Sequence, residues 1–219
     1  MYRFVIFDLD GTLIDSSDGV VEAVNYSLQQ MGEPTQPPEI IKPYIGYPLA
    51  KMYPEFTDAP YEQLYEHFTV KAAQTVVTST YALPYADEVL KQLYADGRTL
   101  AVATTKIKRH VDSILDKLGW CKYFSAAVGG DEAPRFKPDP AIFRLTLERL
   151  QAKPSDAMVV GDTVNDVHAA QAVPMTVTAV ASPYGHRDEL MASQPDHFIE
   201  DIRQLPDILQ LADDGGETR

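Results

Sequence analysis

Five short apolar runs constrain the fold of this 219-residue chain more than any other feature: RFVIF (3–7), TLAVAT (99–104), FSAAV (124–128), AMVVG (157–161) and TVTAVA (176–181). They show little apolar–polar alternation, so each suits a strand buried on both faces. Helical spacing fills the intervals between the later runs. Val89, Leu90, Leu93 and Tyr94 share a face before Gly97; Val111, Ile114, Leu115 and Leu118 do so before Gly119; Ile142, Phe143, Leu147 and Leu150 follow over 140–152. Parallel neighbours need crossover helices, and this alternation supplies them. The expected fold is α/β, a doubly wound parallel sheet with a Rossmann-like core.

One interval departs from the rhythm. No strand-like run is found from about residue 16 to 84, although the first strand has already passed. Val20, Val24, Leu28 and Met31 repeat at helical spacing, with Ser16 to Asp18 as capping candidates and Gly32 as a stop. Tyr61, Leu64, Tyr65, Phe68, Ala72 and Val76 form a second such stripe, and the Pro-rich stretch between them suits short helices joined by turns. The expected organisation is a core of residues 1–15 and 85–211, a helical cap at 16–84 inserted after the first strand, and a frayed tail at 212–219. Aromatic side chains of the insert are expected to form its own core.

Charge narrows the partners. Asp and Glu number 32 against 19 Lys and Arg, a net charge of −13, which repels nucleic acid and anionic membranes. A single cysteine, Cys121, permits neither an intrachain disulfide nor a cysteine zinc site. No signal-peptide anatomy and no apolar run of membrane-spanning length is present, so a cytoplasmic protein is expected.

Four features fall at the C-terminal end of an expected strand or in the loop that follows one: DLDGT with Asp8, Asp10 and Gly11; ATTK with Thr104, Thr105 and Lys106; FKPDP with Lys137; and GDTVND with Asp162 and Asp166. Open parallel sheets bind ligands at that edge. Asp8 and Asp10 are two residues apart in an extended segment and share a side, which costs energy unless a cation separates them. The four aspartates offer oxygen ligands suited to Mg²⁺, without the His or Cys that zinc prefers. Gly11 lets backbone amides approach a phosphate, Thr104 adds a hydroxyl, and Lys137 adds a positive charge opposite the ion. Phosphoryl transfer requires that electrostatic equipment. Lys106, Lys108 and Arg109 read as a solvated helix start.

The set DLDGTLIDS, TLAVATTK, KPDP and VVGDTVNDVHAA resembles the four motifs of the haloacid dehalogenase-like hydrolase superfamily, in its phosphoglycolate phosphatase-like branch, over about residues 3–210. The resemblance implies a Mg²⁺-dependent phosphatase acting on a small phosphorylated metabolite. Asp8 would become an aspartyl-phosphate. Asp10 would protonate the leaving oxygen and then activate water. Thr104 and Lys137 would hold the phosphoryl oxygens. The Asp8 carboxylate, the Asp10 backbone carbonyl and Asp162 would bind the metal, with Asp166 acting through water.

Departures are local. Thr105 stands where the family often has Asn, as a contact to phosphate or substrate; Tyr85 follows Pro84 where Gly is common; Val173-Pro174 replaces Ala-Gly. Asp10 argues against a dehalogenase or a phosphonatase, and Val20 occupies a place where sugar-phosphate mutases typically carry a histidine. The remaining alternatives are 2-phosphoglycolate, sugar phosphates, nucleoside monophosphates or pyrophosphate as substrate, or a phospho-accepting signalling module. No arginine occurs between residues 4 and 97, so from the cap only Lys42, Lys51 or Lys71 could meet a substrate carboxylate.

Overall fold

The computed structural model describes residues 2–211, so the expected frayed tail at 212–219 lies outside the described residues. In chain order the strands are β1 (Phe4–Phe7), β2 (Ile14–Asp15), β3 (Tyr81–Ala82), β4 (Thr99–Ala103), β5 (Phe124–Val128), β6 (Ala157–Gly161), β7 (Thr176–Val180) and β8 (His197–Ile199). Six of them form one sheet in the order β5-β4-β1-β6-β7-β8, every neighbouring pair parallel. The chain steps outward from β1 to β5 on one side and from β6 to β8 on the other. That reversal opens a crevice at the C-terminal end of β1.

Helices α1 (Ser17–Gln30), α2 (Pro38–Ile41), α3 (Leu49–Met52) and α4 (Tyr61–Thr75) lie between β2 and β3. The sheet carries α5 (Ala86–Ala95), α6 (Lys108–Lys117), α7 (Ala141–Leu150), α8 (Val164–Gln171), α9 (Arg187–Ala192) and α10 (Leu205–Ile208). Side chains of β1 divide by parity, as pleating demands. Val5 and Phe7 join one buried cluster and Phe4 and Ile6 the other, so the central strand is covered on both faces. The expected doubly wound α/β sheet is therefore the observed one.

The first cluster continues into the helical insert through Leu28, Met52, Tyr53 and Leu64. Two observations explain how α1 and α4 pack. A Cβ on Gly19 would lie 2.8 Å from the Thr75 carbonyl oxygen, so only glycine permits this approach. Thr75 Oγ1 uses it, donating to the Gly19 carbonyl at 3.0 Å. Where the chain enters and leaves the insert, Ile14 pairs with Ala82 and Asp15 with Tyr81 in an antiparallel ladder. Lys117 Nζ donates to the carbonyls of Val77, Thr78 and Thr80 at 3.0, 2.8 and 2.8 Å, fastening the exit to α6.

Four local expectations are corrected. The interval 16–84 does contain a strand, β3, whose two residues are too short to show a period. β8 is missed for the same reason. Tyr94 is 52% exposed rather than part of the α5 stripe, and stacks edge-on against Tyr123 instead. Ser16 holds the N-cap position of α1 but makes no capping bond; Asp15 Oδ1 accepts from Ser17 N at 2.8 Å.

Candidate active site

Parallel register gathers the site. Phe7 lies opposite Val102 on one side and Val160 on the other, so the next residues of three strands, Asp8, Ala103–Thr104 and Gly161–Asp162, emerge on one rim. Asp8 N donates to the Val160 carbonyl at 2.8 Å and Thr104 N to the Val128 carbonyl at 3.1 Å, extending the ladder by one step. Beyond Asp8 the chain turns tightly, with the Leu9 carbonyl accepting from Leu13 N at 2.9 Å and Ile14 N at 3.0 Å. Gly11 sits in this turn at φ +78°, and a Cβ there would fall 2.1 Å from Asp162 Oδ2. Glycine is required on both counts. Thr12 Oγ1 then donates to Asp162 Oδ1 at 3.0 Å.

Asp8, Asp162 and Asp166 each offer a carboxylate oxygen within 4.8 Å of the others, and all three are buried. Lys137 is buried among them. Its Nζ donates to Asp8 Oδ1 at 2.7 Å, Asp166 Oδ1 at 2.5 Å and the Ala103 carbonyl at 2.9 Å. Burial alone would lower the lysine's pKa, but Asp166 and Asp8 outweigh it and drive it up. One ammonium cannot balance three carboxylates. Burial pushes the Asp8 carboxyl up to about 7 against the pull of Lys137, with Asp166 and Asp10 adding to the rise. Burial likewise lifts Asp162 well above the usual range, reinforced by Asp8 and Asp166.

Asp166 is held from two sides. Beyond its bond to Lys137, its Oδ2 accepts from Thr163 Oγ1 at 2.6 Å and Thr163 N at 3.1 Å, forming a capping box at the start of α8. Both oxygens are thus engaged, while Asp8 Oδ2 accepts no hydrogen bond among the described residues. A hard divalent cation fits this donor set: carboxylates only, excess negative charge, and a glycine turn pressed against Asp162.

Asp10 turns away from the cluster. Its Oδ1 accepts from Ser16 Oγ and its Oδ2 pairs with Lys106 Nζ at 3.1 Å, both side chains buried. Its backbone carbonyl accepts no backbone hydrogen bond among the described residues. Thr104 is fully buried, and its Oγ1 accepts from Lys106 N at 3.3 Å, leaving the hydroxyl proton free to donate. Thr105 spends its hydroxyl proton on the Gly46 carbonyl at 3.0 Å, tying the rim to the insert rather than reaching inward.

The rim therefore brings together Asp8, Asp10, Gly11, Thr104, Lys137, Asp162 and Asp166, with Thr105 at its edge. Lys106 and Ser16 are the side chains that sequence reasoning missed. Lys108 is a part-exposed helix-start residue paired with Asp112, as expected, but Lys106 is buried on Asp10. Its signal lay in the two-residue offset from Thr104, which turns it back over the strand end. Between rim and insert lies a cavity of about 200 Å³, bordered by Asp10, Lys106, Arg109 and His110 on the sheet side.

A family model described as haloacid dehalogenase-like hydrolase matches residues 5–180. The phosphoglycolate phosphatase of Vibrio vulnificus is 30% identical over 221 residues, covering 96% of this chain and 97% of that protein. That of Psychrobacter arcticus is 31% identical over 222 residues, covering 96% of each. A crystal structure described as a predicted phosphatase from Clostridium acetobutylicum superposes with a TM-score of 0.88 at 26% identity, over 96% of this chain and all of that one.

Proposed function

The chain belongs to the haloacid dehalogenase-like hydrolases, and from that premise we propose that this phosphatase cleaves a small-molecule phosphomonoester with Mg²⁺ through a phosphorylated Asp8. The observation that carries the reading is the Asp8 carboxylate, fixed at the end of the central strand by Lys137 and faced by Asp162.

Asp8 is the nucleophile. A bond forms between its free oxygen and phosphorus as the bond from phosphorus to the leaving oxygen breaks. Lys137 holds the other Asp8 oxygen and places its charge beside the transferring group. Asp10, on the opposite side of the turn, gives a proton to the leaving oxygen; it then takes one from the water that attacks phosphorus, releasing inorganic phosphate and restoring Asp8. Ser16 and Lys106 hold the Asp10 carboxyl in place for both transfers. The Thr104 hydroxyl donates to a phosphoryl oxygen. Asp8, the Asp10 carbonyl and Asp162 would hold Mg²⁺, with Asp166 acting through water, and the ion would neutralise charge on the phosphoryl oxygens.

The helices between β2 and β3 act as a cap over this rim, residues 16–84, on a core of 1–15 and 85–211. A small phosphorylated metabolite is the partner. The names of the relatives bring 2-phosphoglycolate forward as a candidate, and Lys106 and Arg109 at the cavity are the cations its carboxylate would meet. A panel of phosphomonoesters assayed with and without Mg²⁺ tests the proposal; absence of Mg²⁺-dependent phosphate release from every ester would overturn it. Among the described residues no helix is long and apolar enough to cross a membrane.

A further inference from the structure

The cavity above Asp10 is apolar over most of its wall. Tyr44, Tyr47, Tyr61, Tyr65 and Phe68 face it from the insert and Phe136 from the core. The sheet-side wall carries Lys106 and Arg109, and His110, whose buried Nε2 has no hydrogen-bond partner among the described residues. Burial, helped by Lys106 and Arg109, pushes the His110 imidazole down to about 4, so it is neutral and adds no charge near pH 7. Asp10 belongs both to this wall and to the reacting rim, whereas Asp8, Lys137 and Asp162 lie outside the cavity. Whatever occupies the cavity is thus attached to the oxygen that Asp10 protonates.

Size decides the class. A closed cavity of about 150 Å³ lined by apolar side chains takes a benzene ring; this one, open to solvent on the side of Tyr65 and Phe136, offers about 200 Å³ and so has room for one. A two-carbon acid would leave most of it empty and most of its aromatic wall uncovered. The geometry points to a phosphomonoester whose leaving group is an alcohol bearing an aromatic ring, the ring packed among the tyrosines and Phe68. This rests on the phosphatase reading above and names the substrate class for the same site. Ring contacts lie away from the reacting bond and act equally on ground and transition states, so they lower KM more than they raise kcat.

The test compares 2-phenylethyl phosphate with ethyl phosphate and 2-phosphoglycolate, at fixed Mg²⁺. The first two are both esters of primary alcohols and differ chiefly in the ring. The expected result is a kcat/KM for 2-phenylethyl phosphate about ten- to a hundredfold above either comparator, the range set by burying one phenyl group, carried mainly by KM. Thr69→Phe, which places a side chain in the cavity, should bring the ratio towards one. Hydrolysis of all three with no advantage for the ring, or with 2-phosphoglycolate best, overturns the aromatic class and leaves the phosphatase standing. Hydrolysis of none overturns the aromatic class, and the wider ester panel with Mg²⁺ then decides the phosphatase reading.

Discussion

Lys137 Nζ lies 2.5 Å from Asp166 Oδ1, with both side chains at least 98% buried, and the same ammonium reaches Asp8. Asp166 therefore has a double task, starting α8 through Thr163 and orienting the lysine that holds Asp8. Asp166→Asn keeps an oxygen for Thr163 but loses the charge facing Lys137. Its expected effect is a fall in kcat or metal affinity of about 10–100-fold, the range for partners behind a metal ligand. Asp162→Asn, which alters a proposed direct ligand, should shift the Mg²⁺ activation midpoint further. Mg²⁺ titrations of both variants check the order.

Removing the lysine itself leaves Asp8 and Asp166 buried without a counter-charge. Lys137→Met should cost about 3–5 kcal/mol of stability in metal-free protein, read from urea unfolding, and saturating Mg²⁺ should recover part of it.

The metal-free protein should lose stability as pH rises. Asp8 in the folded chain releases its proton only at about 7, against an ordinary 3.8, so between those values the folded state holds more protons than the unfolded one. Stability from this group is complete below 3.8 and is lost as pH climbs through about 7. Asp162, also raised, acts in the same direction. In the proposed site Mg²⁺ would take the place of those protons. It should raise Tm more at about pH 7.5 than at about pH 5, on either side of the Asp8 transition, as differential scanning fluorimetry can show. An equal Mg²⁺ effect at both values would argue against a carboxylate site.

Gly11→Ala probes the turn after β1. The added methyl would occupy the Asp162 carboxylate's position, at a φ that L-residues adopt at a cost. Turnover and Mg²⁺-dependent stabilisation should both collapse, while far-UV circular dichroism keeps the α/β signature.

β1, β4, β6 and β7 were legible because both faces of a parallel sheet are covered, and a short apolar run between turn residues suits few other elements. β5 was legible from its run too, although as an edge strand it is only partly buried, with Ser125 exposed. β2, β3 and β8 were not, since two or three residues carry no period. At the site, Asp8, Asp10, Lys137 and Asp162 could be singled out because they stand at a strand end or in the segment that follows one, and the structure brings them to one rim. The burial of Lys106 could not. A lysine three residues past a strand looks like any solvated helix start until the turn at Thr104–Thr105 folds it over Asp10. The cavity was hidden for a related reason: Tyr61, Tyr65 and Phe68 follow the spacing of an ordinary core stripe, and only the placement of the insert over the rim leaves part of that stripe uncovered. Tyr85 stands at φ +64°, a left-handed position where glycine is at ease, beneath the Arg203 guanidinium at 3.9 Å; the sequence showed the departure without the contact that accompanies it.

Asp10→Asn should slow turnover by about 10²–10⁴-fold, the share of general acid–base catalysis, and so prolong any phosphorylated state. That makes it the background for the most direct measurement: acid quench of Asp10→Asn during turnover, followed by peptide mass spectrometry across residues 4–16. A hydroxylamine-sensitive phosphoryl group on Asp8 is the expected result. Continued phosphate release with Asp8 unmodified at every time point, together with near-normal rates for Asp8→Asn, would contradict it.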